Sequence, residues 1–186
     1  KYIETQRFAI FLSGANQAEQ WNQKPQPVSF YMLKAVVDGL IQRLRITDLT
    51  TEDATCSKMA YGLQYMRNSK QLVKFGAVAA SALKKVDLDK EVFYADFNFD
   101  MVLNAVRKNR IVYQDVSKFP AVRRDLSMLV DNAVTFGQLK QVALKTEKKL
   151  LKDVNVFDVY QGDKLPAGKK SYALSFTLQD EEKTLT

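Results

Sequence analysis

The sequence predicts an α+β protein built from two successive parts. Runs rich in β-forming residues alternate along the chain with segments whose apolar residues recur every three or four positions. A basic stretch, Arg107–Tyr113, follows a predicted helix and leads into a new pattern of elements. We therefore divide the chain into residues 1–112 and residues 113–186.

The first part is predicted to alternate strands and helices. Strands are predicted at Thr5–Ser13, Gln71–Ala80 and Val92–Phe99. Helices are predicted from an N-cap at Ser29 through Leu44, at Ser81–Val86, and at Met101–Lys108 behind an N-cap at Asp100. Residues 14–27 read as a loop, and residues 47–70 are too mixed to assign.

The second part has a simpler order. Strands are predicted at Asp125–Asp131, Val154–Tyr160 and Lys170–Gln179, with a helix from Thr135 or Phe136 to Leu150. This strand–helix–strand–strand order is the first three-quarters of a ferredoxin-like βαββαβ unit. Without the final helix and strand, the first strand is expected to have an open edge, and Leu126 and Met128 to lose part of their cover.

Composition excludes several kinds of chemistry. The 186 residues contain no His and one Cys, Cys56, which rules out His-based catalysis, His metal sites, thiolate zinc clusters and internal disulfides. The single Cys fits a reducing cytosol, so a cytoplasmic location is expected. No apolar run approaches the ~20 residues of a membrane span. Asp180-Glu181-Glu182 is interpreted as the acidic start of another helix rather than a metal site. The net charge of +7 is compatible with a polyanionic partner.

Three motifs occur in order in the second part, and weaker ones in the first. The former are Ser117–Ser127 (SKFPAVRRDLS), Phe157–Tyr160 followed by Gly162, and Lys169–Ser175 followed by Gln179-Asp180 and Thr184–Thr186. The latter are Trp21, Pro27–Phe30, Leu33-Lys34, Phe75-Gly76 and Val86–Leu88. Together they resemble the C-terminal part of the phenylalanyl-tRNA synthetase β subunit.

The resemblance implies a fold, an activity and partners. Residues 1–112 would be part of an antiparallel-sheet, class II synthetase-like module without catalytic residues. Residues 113–186 would be a truncated ferredoxin-like βαββ(αβ) anticodon-binding domain. The implied partners are tRNA(Phe) and the catalytic α subunit of an α2β2 phenylalanine–tRNA ligase. ATP and Mg2+ would serve the holoenzyme on α, with no cofactor in this chain.

Alternation in the second part predicts the RNA-binding face. Tyr172, Leu174, Phe176 and Leu178 share one parity of the third strand and are assigned to the core, as are Leu126, Met128 and Val130 of the first strand. The other parity is small and polar, which lets a nucleotide approach the backbone. Hydroxyl groups that bond base edges and cations that contact phosphates give the candidate tRNA-binding residues Lys118, Arg123, Arg124, Ser127, Lys169, Lys170, Ser171 and Ser175.

Each candidate has a structural alternative. Arg123 and Arg124 could be an exposed pair, or Arg124 could pair with a carboxylate such as Asp158. A solvated pair at the strand start is the favoured interpretation of Lys169 and Lys170, and core packing that of Phe157 and Tyr160.

A second function, an amino-acid-binding regulatory domain, needs a glycine-rich loop between first strand and helix. The linking residues Asp131–Gly137 contain one glycine, which disfavours it. A free-standing enzyme is disfavoured because no nucleophile–base pair or phosphate-binding glycine loop is present.

Overall fold

The computed structural model describes residues 2–54, 56–107, 109–110, 112–113 and 115–185. They fall into two compact units, residues 1–111 and 112–186. Lys108 and Thr186, which end a predicted helix and a predicted motif, lie outside the described residues. No helix in the described ranges is both long and apolar enough to cross a membrane.

The first unit is a five-stranded antiparallel sheet. Its two larger helices share one apolar core with the sheet. The strands are β1 (Arg7–Ser13), β2 (Thr50–Asp53), β3 (Met59–Arg67), β4 (Lys70–Val78) and β5 (Val92–Asn98), in the order β1-β5-β4-β3-β2. The helices are α1 (Phe30–Arg43), α2 (Ala80–Leu83) and α3 (Phe99–Val106), with a 3-10 turn at Lys84–Val86. Residues of α1, α3, β4 and β5 make up most of the core.

Helix α1 confirms the predicted N-cap and apolar face. The Ser29 hydroxyl accepts a hydrogen bond from the Met32 amide at 3.4 Å, which satisfies one of the free N–H groups of the first turn. Leu33, Val37 and Ile41 recur every four residues and are buried against the sheet. The apolar spacing of this segment therefore determines both its helical form and the side that packs.

Two predictions in the first unit are corrected. Asn98, not Asp100, caps α3, because the Asn98 Oδ1 accepts from the Met101 amide at 3.1 Å and the helix begins at Phe99. The unassigned residues 47–70 contain strands β2 and β3. Register shifts on either side of Tyr61–Tyr65 interrupt the two-residue alternation of β3 and hid it from sequence reasoning.

The second unit confirms the predicted strand–helix–strand–strand order. Its elements are β6 (Val122–Asp131), α4 (Phe136–Thr146), β7 (Leu151–Tyr160) and β8 (Lys169–Leu178). The antiparallel sheet has the order β6-β8-β7, so β6 lies at an edge, as predicted, and β8 is paired on both sides. Residues 181–183 form bends, and the Asp180 Oδ1 accepts from the Glu182 amide at 2.9 Å; the predicted helix start is not formed there.

Helix α4 ends at Thr146, four residues before the predicted Leu150. The Glu147 carboxylate accepts hydrogen bonds from the amides of Lys149 and Leu150, both at 2.8 Å. These bonds satisfy backbone groups in a tight turn, so β7 starts at Leu151 instead of Val154. Both bonds hold the pKa of Glu147 below its usual range, and the bond from the Leu150 amide has the larger effect.

An apolar groove of about 490 Å³ runs beside α4 on its side of the sheet. Its lining includes Leu126 and Met128 of β6 and Val142 of α4. Leu126 and Val142 are at least half exposed in this unit. The incomplete cover that the sequence predicts for Leu126 is therefore present.

Gly76 and Gly39 form a matched pair for substitution by Ala. A Cβ on Gly76 would collide with the carbonyl oxygen of Tyr61 on the paired strand, whereas a Cβ on Gly39 within α1 meets nothing within 4 Å. We expect Gly76→Ala to lower the free energy of unfolding by about 1–3 kcal/mol. Gly39→Ala should raise it by about 0.5–1 kcal/mol. Urea unfolding of the chain measures both, and equal effects would contradict the close approach of β3 and β4.

The Glu147 carboxylate, which accepts from the amides of the turn after α4, makes a pH-dependent contribution to stability. Its pKa is lowered on folding, so the contribution is fully present above the unfolded value of about 4.3 and is lost as pH falls through the folded value. We expect Glu147→Gln to melt at a lower temperature than the parent chain at pH 7, and the difference to shrink below about pH 4. Calorimetry across this range tests it; a constant difference would show that charge plays no part.

The groove beside α4 should accept an added apolar helix. An extension after residue 186 that is designed to form an amphipathic helix and a strand paired with β6 should stabilise the second unit by about 2 kcal/mol, since it covers Leu126 and Val142. The matched control carries Ser at the apolar positions of the added helix. Thermal unfolding that is the same for both extensions would contradict the groove's capacity to bind a helix.

Candidate nucleic-acid interface

The register of β8 divides the second sheet into two faces. Leu174 lies opposite Leu126 of β6 and Val156 of β7, and this parity faces α4. The other parity of β8 pairs with residues of β6 and β7 on the face away from α4, which we call the open face. From β6 to β7 its members include Arg123, Asp125, Ser127, Leu129, Lys169, Ser171, Ala173, Ser175, Thr177, Asp158 and Tyr160.

The open face is a shallow trough with a floor of small side chains. Ala173 and Ser175 of the central strand are only 8% and 7% exposed, because taller side chains on the outer strands shield them. Leu129 of β6 and Tyr160 of β7 are among those taller side chains, and both are about half exposed. The trough therefore has apolar and aromatic walls that water still reaches.

Arg123 and Phe157 bridge this trough. The Arg123 guanidinium carbon lies 5.1 Å from the centre of the Phe157 ring, within the range of a cation–π contact. Arg123 belongs to β6 and Phe157 to β7, and two strand spacings of about 4.8 Å separate those strands. The contact must therefore cross β8. Arg123 lies opposite Thr177 of β8, and Phe157 is next to Asp158, which lies opposite Ala173. Ser175, between Thr177 and Ala173 on the same face, therefore lies beneath the contact.

Phe157 lies on the open face beside a β-bulge. Val156 faces α4, so alternation places Phe157 on the open face. The register of β7 against β8 then shifts between Val156 and Asp158, so Phe157 is the extra residue and Asp158 and Tyr160 lie on the open face too. Phe157 and Tyr160 are 51% and 42% exposed, and the interpretation that they pack in the core is wrong. A bulge breaks the alternation that sequence reasoning depends on. In the sequence, the polar Asp158 between Phe157 and Tyr160 was the feature that could have indicated an exposed segment.

The five predicted cations do not surround one face. Arg123 and Lys169 lie on the open face, where each is held by a carboxylate: Arg123 Nε to Asp125 at 2.7 Å, and Lys169 Nζ to Asp131 at 2.6 Å. Arg124 has the opposite parity and lines the groove beside α4.

Lys170 also faces the α4 side and is only 8% exposed. Its ammonium donates to the Asn132 carbonyl at 2.8 Å and lies 5.0 Å from the Tyr172 ring centre. Lys170 therefore ties β8 to the loop before α4 and is not available to a ligand.

Lys118 lies in the segment before β6, at one end of the sheet. It lines a cleft of about 670 Å³ together with Lys152 and Glu181, which pair at 3.1 Å. The Gln179 amide donates to the Phe119 carbonyl at 2.7 Å and fastens this segment to the end of β8. Among the hydroxyl candidates, Ser127 is exposed and Ser171 is partly exposed, whereas Ser175 is buried under the bridge.

The link between β6 and α4 satisfies its own polar groups. The Thr135 amide donates to the Gln138 side chain at 2.9 Å, and the Thr135 hydroxyl accepts from the Gln138 amide at 3.3 Å. This capping box occupies N–H groups that an amino-acid ligand would need. The regulatory alternative gains no support from this loop.

Each of the two units matches a known protein family. Residues 117–186 match the family model described as ferredoxin-fold anticodon binding domain, which defines the class of the second unit. Residues 1–99 match the model described as phenylalanyl tRNA synthetase beta chain CLM domain. Because this second match covers more than half of the chain, the chain belongs to the phenylalanyl-tRNA synthetase β chain family.

Curated relatives carry the same name. The chain is 42% identical over 187 residues to the phenylalanine–tRNA ligase beta subunit of Bacteroides thetaiotaomicron, and 37% identical over 188 residues to that of Porphyromonas gingivalis. It is 33% identical over 189 residues to that of Bacillus subtilis. These alignments include 99%, 99% and 100% of this chain but 23% of each relative. The chain thus spans about a quarter of the length of these proteins.

Proposed function

We propose that the chain is part of the β subunit of a phenylalanine–tRNA ligase, a cytoplasmic class II aminoacyl-tRNA synthetase, and that its open face binds the anticodon region of tRNA(Phe). The observation that supports this most is the trough itself. It is an uncovered sheet face with a floor of small side chains, half-exposed aromatic walls and cations at its rim. Single-stranded bases splay onto surfaces of this kind.

The candidate residues take different roles on this surface. Arg123 and Lys169 meet phosphates or base edges, and Lys118 extends the basic rim at the sheet end. The hydroxyls of Ser127 and Ser171 flank the trough floor and bond base edges. Arg124, Lys170 and Ser175 are left out, since two of them face α4 and the third lies beneath the Arg123–Phe157 bridge.

We propose that residues 1–112 are a partial class II synthetase-like module that carries no catalysis and supports assembly with the α subunit in an α2β2 enzyme. Its five-stranded antiparallel sheet packed against α1 and α3 supports this proposal. ATP and Mg2+ would act on α. Within the described ranges, no three His, Cys, Asp or Glu side chains converge as metal ligands.

The two neighbouring arginines give a matched test of RNA binding. Arg123→Gln combined with Lys169→Gln should weaken binding of a tRNA(Phe) anticodon stem–loop. It should also make the slope of log K against log salt less steep by about 1.4, from two lost phosphate contacts at about 0.7 each. Fluorescence anisotropy over a salt series measures both quantities.

The control is Arg124→Gln, which removes the adjacent charge from the α4 side and should leave the slope within experimental error. No binding by the parent chain at low salt, or an equal loss with Arg124→Gln alone, would overturn the assignment of the open face.

A further inference from the structure

We infer that the end of the first unit at which α1 and α3 terminate binds backbone phosphates of RNA; this inference rests on the proposed function. Three short segments bring six cations to this end, and we call the surface they form the basic end. Its members are Arg43, Arg45, Arg67, Lys70, Arg107 and Arg110. Five of the six are exposed, and Arg67 is partly exposed. None of the six forms an ion pair with a residue that the structure describes.

Two hydrogen bonds join the segment after α1 to the segment after α3. Asn109 Nδ2 donates to the carbonyl oxygens of Leu44 and Arg45, at 2.8 and 3.0 Å. A helix leaves its last carbonyls without partners inside the helix, so these bonds also satisfy acceptors at the end of α1. The cations of the two segments are therefore neighbours.

Helix α1 and strand β3 run in the same direction, which brings the third segment to the same end. Near the start of α1, the ring centre of Phe30 lies 5.7 Å from that of Tyr61. Further along both elements, Asp38 accepts a hydrogen bond from the Tyr65 hydroxyl. The helical advance between these contacts is about 12 Å and the strand advance about 13 Å. The turn at residues 67–70, between β3 and β4, therefore lies beside the last turn of α1.

Arg45 occupies a backbone position that favours glycine. Its φ is 51°, in the left-handed region. The Ile46 amide donates to the Ile41 carbonyl at 3.1 Å, which is the bond that closes a helix in a Schellman motif. Glycine is the usual residue at this position, because a Cβ raises the energy of the left-handed conformation. An arginine kept there at a cost to stability indicates a purpose other than folding.

Arg67 has a buried donor without an acceptor. Its Nε is shielded from solvent and makes no hydrogen bond to any described residue. Buried donors in native proteins are nearly always hydrogen-bonded, so this atom indicates an acceptor supplied from outside the chain. A phosphate offers such acceptors, and a planar guanidinium can donate to two of its oxygens at once.

An RNA backbone fits the basic end better than an acidic protein does. Five of the six cations are arginines, whose paired donors match phosphate. Protein interfaces are depleted of charge at their centre, whereas charges make up this surface. Arg43 and Arg107 also offset the negative helix ends of α1 and α3, but that role does not account for the other four cations. Contacts of this kind position RNA without reading its sequence.

The test measures binding of full-length tRNA(Phe) to the 186-residue chain by fluorescence anisotropy over a salt series. Arg107→Gln combined with Arg110→Gln should weaken binding about tenfold. It should also make the slope of log K against log salt less steep by about 1.4–1.8, since two phosphate contacts at about 0.7–0.9 each are lost. Lys84→Gln combined with Lys85→Gln is the matched control. It removes the same charge from exposed lysines that follow β4 at its opposite end, and it should bind as the parent does.

Arg45→Gly separates a binding role from a structural one. It should raise the melting temperature, because glycine suits a φ of 51°, and should still weaken tRNA binding about threefold. Arg67→Lys keeps the charge but has no Nε donor, and should weaken binding by a similar factor. A lower melting temperature with unaltered binding in Arg45→Gly would show a purely structural arginine and would count against the inference.

Ethylation of individual tRNA phosphates shows which contacts belong to the basic end. Some ethylated positions should impair binding by the parent chain and by the open-face variant Arg123→Gln with Lys169→Gln, but not further impair the variant of Arg107 and Arg110. Binding by that last variant equal to the parent's would overturn the inference and leave the proposed function standing; an acidic protein would then be the better partner for this surface. Failure of the parent chain to bind tRNA at low salt would instead remove the proposed function and this inference with it.

Discussion

The pairing of β8 with a strand on each side is the constraint that determines which residues of the second unit face α4 and which face away from it. Ten residues, Lys169–Leu178, are hydrogen-bonded to β6 on one side and β7 on the other. Their two-residue period sends Tyr172 and Leu174 toward α4 and the small residues Ala173 and Ser175 away from it. A slip of one residue would exchange the two faces, so burial of the α4 side specifies the open face as well.

The outer strands supply the large side chains of the open face. The register shift in β7 keeps Asp158 and Tyr160 on the same face as Phe157, and the Asp125 carboxylate of β6 accepts a hydrogen bond from Arg123, whose guanidinium contacts the Phe157 ring. The same contact shields the floor of the trough. The Arg123–Phe157 pair thus contributes to local packing, and a ligand on the open face would have to add to this pair or displace it.

The parts of the fold that were predictable are those governed by local periodicity. Alternation revealed β8, the four-residue spacing of Leu33, Val37 and Ile41 revealed α1, and a hydroxyl before that run revealed its cap. Interrupted periods were not readable: β3 is broken by register shifts, and Glu147 ends α4 through bonds of its own side chain. In the site, strand parity identified the open face.

Parity alone did not place every candidate residue. Lys170 carries a charge that suggests solvent, yet a carbonyl and an aromatic ring allow its burial. Ser175 is small and of the right parity, but a contact between distant residues covers it. Amide chemical-shift mapping of the labelled chain during titration with the anticodon stem–loop tests whether RNA binds the open face. We expect shifts concentrated at Arg123–Leu129, Phe157–Tyr160 and Ser171–Thr177. Shifts concentrated in α4 and the groove beside it would contradict the proposed binding surface.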